Sequence, residues 1–191
     1  MHRPTLIRGC APQVGAGVSV SEDFNAFGGS FAGGNATVFG GGSLGVINFD
    51  DLDESATTID GTLGAGGPVD QRRRVHVCGL GNVQYHLGPD FDSVELNTFA
   101  FSAGGQAGIV AAETATVAVV PTFGAAFNYF NVMVDSPDGD DSASETYGSV
   151  IFGVGLIFNR RFAITPTIAV PFGLDDNDAV FTLGFTFNFG R

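Results

Sequence analysis

The stretch Phe181-Thr182-Leu183-Gly184-Phe185-Thr186-Phe187-Asn188-Phe189 alternates large apolar residues with small or polar ones. Alternation with a period of two places the two sets on opposite faces of a β-strand. A strand that crosses a membrane at a tilt needs about 9–11 residues, and this stretch has that length. The C-terminus therefore predicts a membrane-crossing strand.

The same alternation recurs along the chain. Large apolar residues alternate with small or polar ones over residues 149–158, 162–170 and 13–20. A soluble barrel or sandwich carries charged residues on its outer face, whereas charge is almost absent from these strands. The pattern favours a barrel whose large residues face lipid and whose small residues fill a narrow interior.

A transmembrane helix is the competing interpretation. Residues 109–127 are the one stretch of suitable length, but they contain Glu113 and Pro121 and are rich in Thr and Val. That composition suits two strands and a turn better than a helix.

Composition excludes two further classes. The 191 residues include 20 acidic residues and 8 basic ones, all of them arginine, which gives a net charge of −12. Nucleic acid binding needs clustered positive charge, so we expect no nucleic acid partner. A hydrophobic content of 44% excludes a disordered acidic chain.

We predict an all-β fold, a closed antiparallel up-and-down transmembrane β-barrel of ten strands. Eight strands are the alternative if residues 22–65 pair differently. An even number is typical of bacterial single-chain barrels. The predicted strands are 13–21, 31–39, 43–50, 57–65, 74–86, 94–110, 115–133, 146–158, 162–171 and 179–190.

Charge separates the two ends of this predicted barrel. Alternate connections are acidic, and the others are short or basic, among them the turn Gly40-Gly41-Gly42 and the loops with Arg72–Arg74 and Arg160-Arg161. Charged side chains must lie outside the apolar band of a membrane barrel, because a charge facing lipid near the midplane costs roughly 2–4 kcal/mol. The sorting therefore supports a membrane barrel.

The chain resembles the small Gram-negative outer-membrane β-barrel proteins, which have eight to ten strands and Gly/Phe-rich sequences. Thr182, Gly184, Phe187 and Phe189 are similar to the assembly signal in the last strand of that class, although Gly190 and Arg191 follow the final aromatic residue here. The resemblance implies a place in the bacterial outer membrane, contact with its lipid, and recognition by the barrel-assembly machinery. It also implies that residues 13–191 form the barrel, that residues 1–12 are a periplasmic or lumenal segment, and that the acidic connections are extracellular.

Met1–Cys10 contains no apolar run of the length found in secretory leaders. We therefore expect a leader that is missing from this chain or has been removed.

The acidic loops are candidate Ca²⁺ sites, because Ca²⁺ takes 6–8 oxygen ligands. The residues concerned are Asp50, Asp51, Asp53, Asp138, Asp140 and Asp141. The favoured alternative is a set of solvated, mutually repelling loops, since neither segment has the spacing of an EF-hand. No other metal site and no cofactor is expected.

Cys10 and Cys78 are the two cysteines, and both lie toward the basic end. If the protein is exported, both cysteines reach an oxidising compartment. We therefore predict a disulfide between them, with two unpaired thiols as the alternative. Because Cys78 is predicted to point inward, the bridge would tether Met1–Pro12 across or into the lumen as a partial plug.

No catalytic constellation is predicted. His76, Cys78, Asn82, Gln84 and His86 form the most polar inner wall, and His86 with Asp90 or Asp92 is the one pairing that could imitate an outer-membrane protease. An acid-rich rim makes such proximity a frequent coincidence.

The predicted function is therefore non-enzymatic: a monomeric outer-membrane protein with a structural or surface-interaction role for its acidic loops. A narrow, porin-like pore for small solutes or ions is the alternative. Wide diffusion channels need about 16–18 strands, and inward Phe130, Ile151 and Ile157 would obstruct the lumen further.

Overall fold

The computed structural model describes residues 13–35, 37–49, 54–91, 94–135, 141–173 and 178–189. These residues form antiparallel strands, and the connections described in full include the turns 69–74 and 159–161. Among them is no helix that is long and apolar enough to cross a membrane. The strands are β1 (Gln13–Val20), β2 (Phe24–Gly34), β3 (Val38–Phe49), β4 (Glu54–Pro68), β5 (Val75–Phe91), β6 (Val94–Ile109), β7 (Ala112–Glu113), β8 (Val117–Asp135), β9 (Asp141–Phe158), β10 (Phe162–Phe172) and β11 (Val180–Asn188).

The ten long strands close into a barrel, which confirms the predicted fold class and strand number. Each long strand pairs with its neighbour in the chain, β6 pairs directly with β8, and β11 pairs with β1. The two-residue strand β7 only extends the turn between β6 and β8. At the seam, Gln13 lies opposite Asn188 and Val20 opposite Phe181, and the hydroxyls of Ser19 and Thr182 hydrogen-bond at 2.9 Å. Closure leaves no open strand edge.

The alternation in sequence becomes the two faces of the barrel. In β11 the side chains of Phe181, Phe185 and Phe187 are exposed on the outside, whereas those of Thr186 and Asn188 are buried inside. The predicted faces of β9 and β10 are likewise confirmed, because Phe152 and Phe162 are exposed while Ala163 and Thr165 are buried. The small and amide-bearing residues thus fill the interior.

One predicted turn is wrong. Gly40-Gly41-Gly42 lies inside β3, and the chain reverses instead before Val38, where β3 begins. Asn35 explains the position, since its Oδ1 accepts hydrogen bonds from the backbone N–H groups of Thr37 and Val38, both at 2.8 Å. Such an Asx turn competes well with a glycine run. The second strand consequently spans Phe24–Gly34, not 31–39 as predicted.

Glycines in two of the strands leave room for groups of the neighbouring strands to come close. A Cβ atom added to Gly41 would collide with the carbonyl group of Phe31 on β2. On the outer face, a Cβ at Gly148 would collide with the ring of Phe172, which covers that glycine from β10. Both positions therefore favour glycine for steric reasons.

The two ends of the barrel differ in charge, as predicted. All the described arginines lie at the end with the turns 69–74 and 159–161, which we call the basic end. The opposite end, which we call the acidic end, carries Glu22, Asp23, Glu54, Asp141, Glu145 and Asp178. The exceptions among the described acidic residues are Asp60 in the interior, and Asp70 and Glu113 at the basic end.

Candidate functional site: the barrel interior and its two ends

A polar cluster occupies the middle of the interior. Asp60 on β4 accepts hydrogen bonds from Ser43 on β3, from Asn82 Nδ2 on β5 at 3.1 Å and from the Thr62 hydroxyl at 3.3 Å. Asn82 Nδ2 also donates to Thr62 Oγ1 at 3.0 Å. The four residues lie on three neighbouring strands with inward side chains, so the cluster ties those strands together. Sequence analysis predicted the inward direction of Asn82 but did not identify Asp60 as its partner.

Small cavities adjoin this cluster. One of about 230 Å³ is lined by polar groups that include Gln13, Ser30, Asp60 and Asn82. A second, of about 150 Å³, lies toward the acidic end and includes Ser19, Thr58 and Gln84 in its lining. Cavities of this size and polarity suit water or small ions rather than an organic solute.

Apolar side chains close the interior at the basic end. The ring of Phe39, which is 2% exposed, packs with Cys78 and Leu80. On the opposite wall, a second cluster surrounds the fully buried Val120 and consists of Val110, Ala118, Val120, Ile157 and Ala163. The predicted inward position of Ile157 is confirmed by its burial. Phe130 on β8 and Ile151 on β9 lie an even number of residues from the buried Val120 and Ile157, so their side chains also face inward.

His76 lies between this closed region and the turn to β5. Its side chain is 1% exposed, and its Nε2 atom lies 3.0 Å from the carbonyl oxygen of Arg73. Within the described part of the chain its Nδ1 atom has no hydrogen-bond partner. The predicted inward wall of β5 is thus observed.

Cys78 points inward and is buried, and its Sγ atom takes part in a disulfide bond. Cys10 is the other cysteine of the sequence, but it lies outside the described residues. The pairing of Cys10 with Cys78 and the plug formed by Met1–Pro12 therefore stay predictions.

The interior is apolar again at the acidic end. A cavity of about 490 Å³ opens there, between β2, β3, β4, β5, β6 and β8. Its lining residues are Phe24, Ile47, Phe49, Ala56, His86, Gly88, Leu96, Thr98, Phe130 and Val132. Sequence analysis directed Phe130 and His86 inward, but it began the second strand seven residues too late and so left Phe24 in a loop.

Most of the proposed Ca²⁺ ligands lie outside the described residues, namely Asp50, Asp51, Asp53, Asp138 and Asp140. Asp141 is described, and its exposed carboxylate accepts a hydrogen bond from the backbone N–H of Ser142 at 2.7 Å. Within the described part of the chain, no group of three or more His, Cys, Asp or Glu side chains is placed to hold a metal ion. The Ca²⁺ sites stay predictions.

His86 belongs to the apolar cavity, where it lies opposite Thr98 on β6. The side chains of Asp90 and Asp92 are outside the described set, so the structure does not test the protease-like pairing.

The residues of the assembly-signal motif lie at the seam. Thr182 and Gly184 face the interior, and Phe187 is 44% exposed on the outside, with its ring centroid 6.2 Å from that of the exposed Phe189. Recognition of this strand by assembly machinery stays a prediction.

The chain is similar in structure to two solved barrels. The N-terminal β-barrel domain of Pseudomonas aeruginosa OprF matches with 15% identity and a TM-score of 0.46, covering 93% of this chain and 96% of that chain. Ail, the attachment invasion locus protein of Yersinia pestis, matches with 12% identity and a TM-score of 0.48, covering 92% and 94%. No protein-family model and no curated protein sequence matches.

Proposed function

We propose that this chain is a non-enzymatic outer-membrane β-barrel protein that presents its acidic end to the exterior for a structural or surface-interaction role. The observation that carries the proposal is the outer surface of the barrel. Each of the ten long strands exposes at least one large apolar side chain there, among them Phe31, Leu63 and Phe123, with Leu63 74% exposed. Soluble proteins rarely expose apolar patches larger than a few hundred Å².

Aromatic residues near both ends support insertion into a bilayer. Phe158 and Phe162 flank the turn at the basic end, with ring centroids 6.1 Å apart. At the acidic end, exposed Phe127 and Phe172 lie on either side of Gly148. Girdles of aromatic residues at the two interfaces are typical of outer-membrane barrels.

The surface-interaction role is inferred from charge. Glu22, Asp23, Glu54 and Glu145 are exposed at the acidic end, so this end carries a strong negative potential. A partner there would be cationic, or would reach the loops through divalent ions. We assign no reaction to the protein, and we propose that it is monomeric, because a closed barrel needs no second chain to satisfy its strands.

Cysteine labelling in intact cells tests location and orientation together. In a variant with both native cysteines replaced by serine, Ser21→Cys marks the acidic end and Thr114→Cys marks the basic end. We expect a membrane-impermeant maleimide to label Ser21→Cys only, and both variants to be labelled after the cells are lysed. Labelling of Thr114→Cys in intact cells would reverse the orientation, and labelling of neither would contradict the surface location.

A narrow pore is the second candidate, and the polar cavities beside Asp60 favour it. Phe39 and the cluster around Val120 oppose it, because they fill the interior at the basic end. We expect no steady conductance in planar bilayers from the unaltered protein, and we expect Phe39→Ala to raise the conductance if this cluster is the main barrier. Stable channels in the unaltered protein would favour the pore over the structural role.

A further inference from the structure

The apolar cavity at the acidic end differs from the polar middle of the interior. Around Asp60 the inner wall consists of Ser, Thr, Asn and Gln side chains, and polar interiors are the rule for such barrels. Nearer the acidic end of the lumen, three phenylalanines, Phe24, Phe49 and Phe130, face inward together. At the basic end the apolar side chains pack together and fill the interior, whereas those at the acidic end leave a cavity.

Small residues keep the cavity open. Ala56 is buried in its wall, where a longer side chain would project into the space. Gly88 lies beside it at an irregularity in the pairing of β5 with β6, between Leu87 and Asp90. A Cβ atom at Gly88 would collide with the carbonyl group of Leu96. Bulges of this kind bend a strand and are frequent next to functional sites.

One large side chain of the cavity wall, that of Phe130, packs against a neighbouring strand. The ring of Phe130 makes an edge-on contact with Tyr147 on β9, with centroids 6.1 Å apart and an interplanar angle of 68°. Such a contact fixes the orientation of an aromatic ring. All the residues that line the cavity belong to strands rather than to loops.

The cavity also contains two polar side chains, which sit together. His86 and Thr98 are directly opposite each other on β5 and β6, and both face the cavity. A few polar groups in an otherwise apolar pocket are typical of small-molecule sites, where they orient the ligand.

The acidic side chains near the mouth of the cavity favour cationic ligands over anionic ones. A ligand approaching from the acidic end passes the exposed carboxylates of Glu22, Glu54 and Glu145, while the described arginines are all at the other end. Negative potential at the mouth repels anions and concentrates cations.

We propose that this cavity binds one small cationic molecule with an apolar body of one or two rings, whose single polar group is directed at His86 and Thr98. The volume of about 490 Å³ falls within the range of about 300–1,000 Å³ that is usual for small-molecule pockets. Apart from His86 and Thr98 the lining side chains are apolar and offer water few hydrogen bonds, so an apolar ligand can replace water there at little cost. The inference goes beyond the proposed function and does not depend on which membrane holds the barrel.

The test uses the full chain in nanodiscs of zwitterionic lipid and two probes of matched shape. The cationic probe is 1-naphthylmethylamine and the anionic one is 1-naphthylacetate, with binding measured by calorimetry. We expect saturable one-to-one binding of the cation, and binding of the anion that is at least tenfold weaker at low salt. No saturable binding of the cation, or equal binding of both probes, would overturn the proposal.

Ala56→Trp fills the cavity and should weaken binding of the cation at least tenfold. Leu44→Trp is its matched control, because Leu44 lies on the outer face of the adjacent strand and is exposed. Leu96→Asn keeps the size of a wall residue while making it polar, and should weaken binding severalfold even if Ala56→Trp does not fold. Unchanged binding in a folded Ala56→Trp or Leu96→Asn variant would show that the probe partitions into lipid and would refute the site.

Discussion

At the scale of single residues, Asp60 accepts hydrogen bonds from three side chains of the described interior. Its carboxylate is surrounded by the neutral donors of Ser43, Thr62 and Asn82. A donor left unsatisfied in the interior of a protein costs about 1–3 kcal/mol.

We therefore expect Asp60→Leu to lower the free energy of unfolding by about 1–3 kcal/mol, because Ser43 and Asn82 lose their acceptor. Asp60→Asn retains one acceptor oxygen and should cost less. Urea unfolding in lipid vesicles measures both. The control is Ile59→Leu on the outer face of the same strand, where little change is expected. Equal stability of Asp60→Leu and the unaltered protein would show that the cluster is solvated and does not tie the strands.

Asp70 accepts hydrogen bonds from the backbone of the turn between β4 and β5. Its carboxylate accepts hydrogen bonds from the backbone N–H groups of Val75 at 2.7 Å and Arg72 at 3.1 Å. The hydrogen bond from Val75 is the largest cause that holds the pKa of Asp70 below its ordinary value, and the bond from Arg72 acts in the same direction. A carboxyl group with a lowered folded-state pKa stabilises the fold above its unfolded-state pKa, and this contribution is lost as the pH falls through the folded-state pKa.

The unaltered protein should therefore lose stability in acid, in part through Asp70. Asp70→Asn cannot ionise, so its unfolding midpoint in urea should depend less on pH as the pH falls below the ordinary aspartate pKa of 3.8. Glu22→Gln, at the exposed acidic end, serves as a charge-matched control. Parallel pH profiles of Asp70→Asn and the unaltered protein would contradict this role.

At the scale of elements, the tight turn between β9 and β10 shows how backbone geometry selects residues. Asn159 and Arg160 both have positive φ, 50° and 57°, and the N–H of Arg161 donates to the carbonyl of Phe158 at 3.0 Å. Two successive residues of positive φ are the requirement of a type I′ hairpin, which Asn tolerates better than most residues. Arg160 adds an ion pair with Glu113 at 3.0 Å, which at an exposed position contributes about 0–1 kcal/mol.

Asn159→Val should weaken this hairpin, because a left-handed conformation costs an ordinary L-residue about 1–2 kcal/mol and a β-branched one more. We expect a lower yield of folded barrel, measured by heat-modifiable gel migration after dilution from urea into detergent. Asn159→Gly should fold at least as well as the unaltered protein, since glycine accepts this φ. A normal yield from Asn159→Val would mean that other hairpins govern assembly.

At the scale of the whole molecule, the basic end combines apolar clusters with the disulfide-bonded Cys78. If Cys10 is its partner, Met1–Pro12 is held at the closed end of the lumen. Non-reducing peptide mapping of exported protein should find one Cys10–Cys78 peptide and no free thiol. Cys10→Ser should then leave Cys78 unpaired while Ala11→Ser, its neighbour, leaves the bridge intact. Two free thiols in exported protein would remove the tether.

The sequence by itself determined the fold class, the ten strands and the charge difference between the ends. It could do so because a strand between lipid and a narrow lumen must alternate with period two, and because charge is excluded from the apolar band. The same reasoning correctly directed Asn82, Cys78 and Phe130 inward. It misplaced the turn at Gly40–Gly42, since a glycine run has the same composition whether it serves a turn or close approach of strands.

Only the tertiary structure decided which inward residues meet. Asp60 and Asn82 are 22 residues apart in the chain, and their contact depends on the register of β4 against β5. The apolar cavity likewise gathers residues from six strands. Alternation determines which side chains of a strand face the interior. The height of each side chain along the barrel axis depends instead on the stagger of the strands around the closed barrel, and that stagger follows from all the strand pairings together.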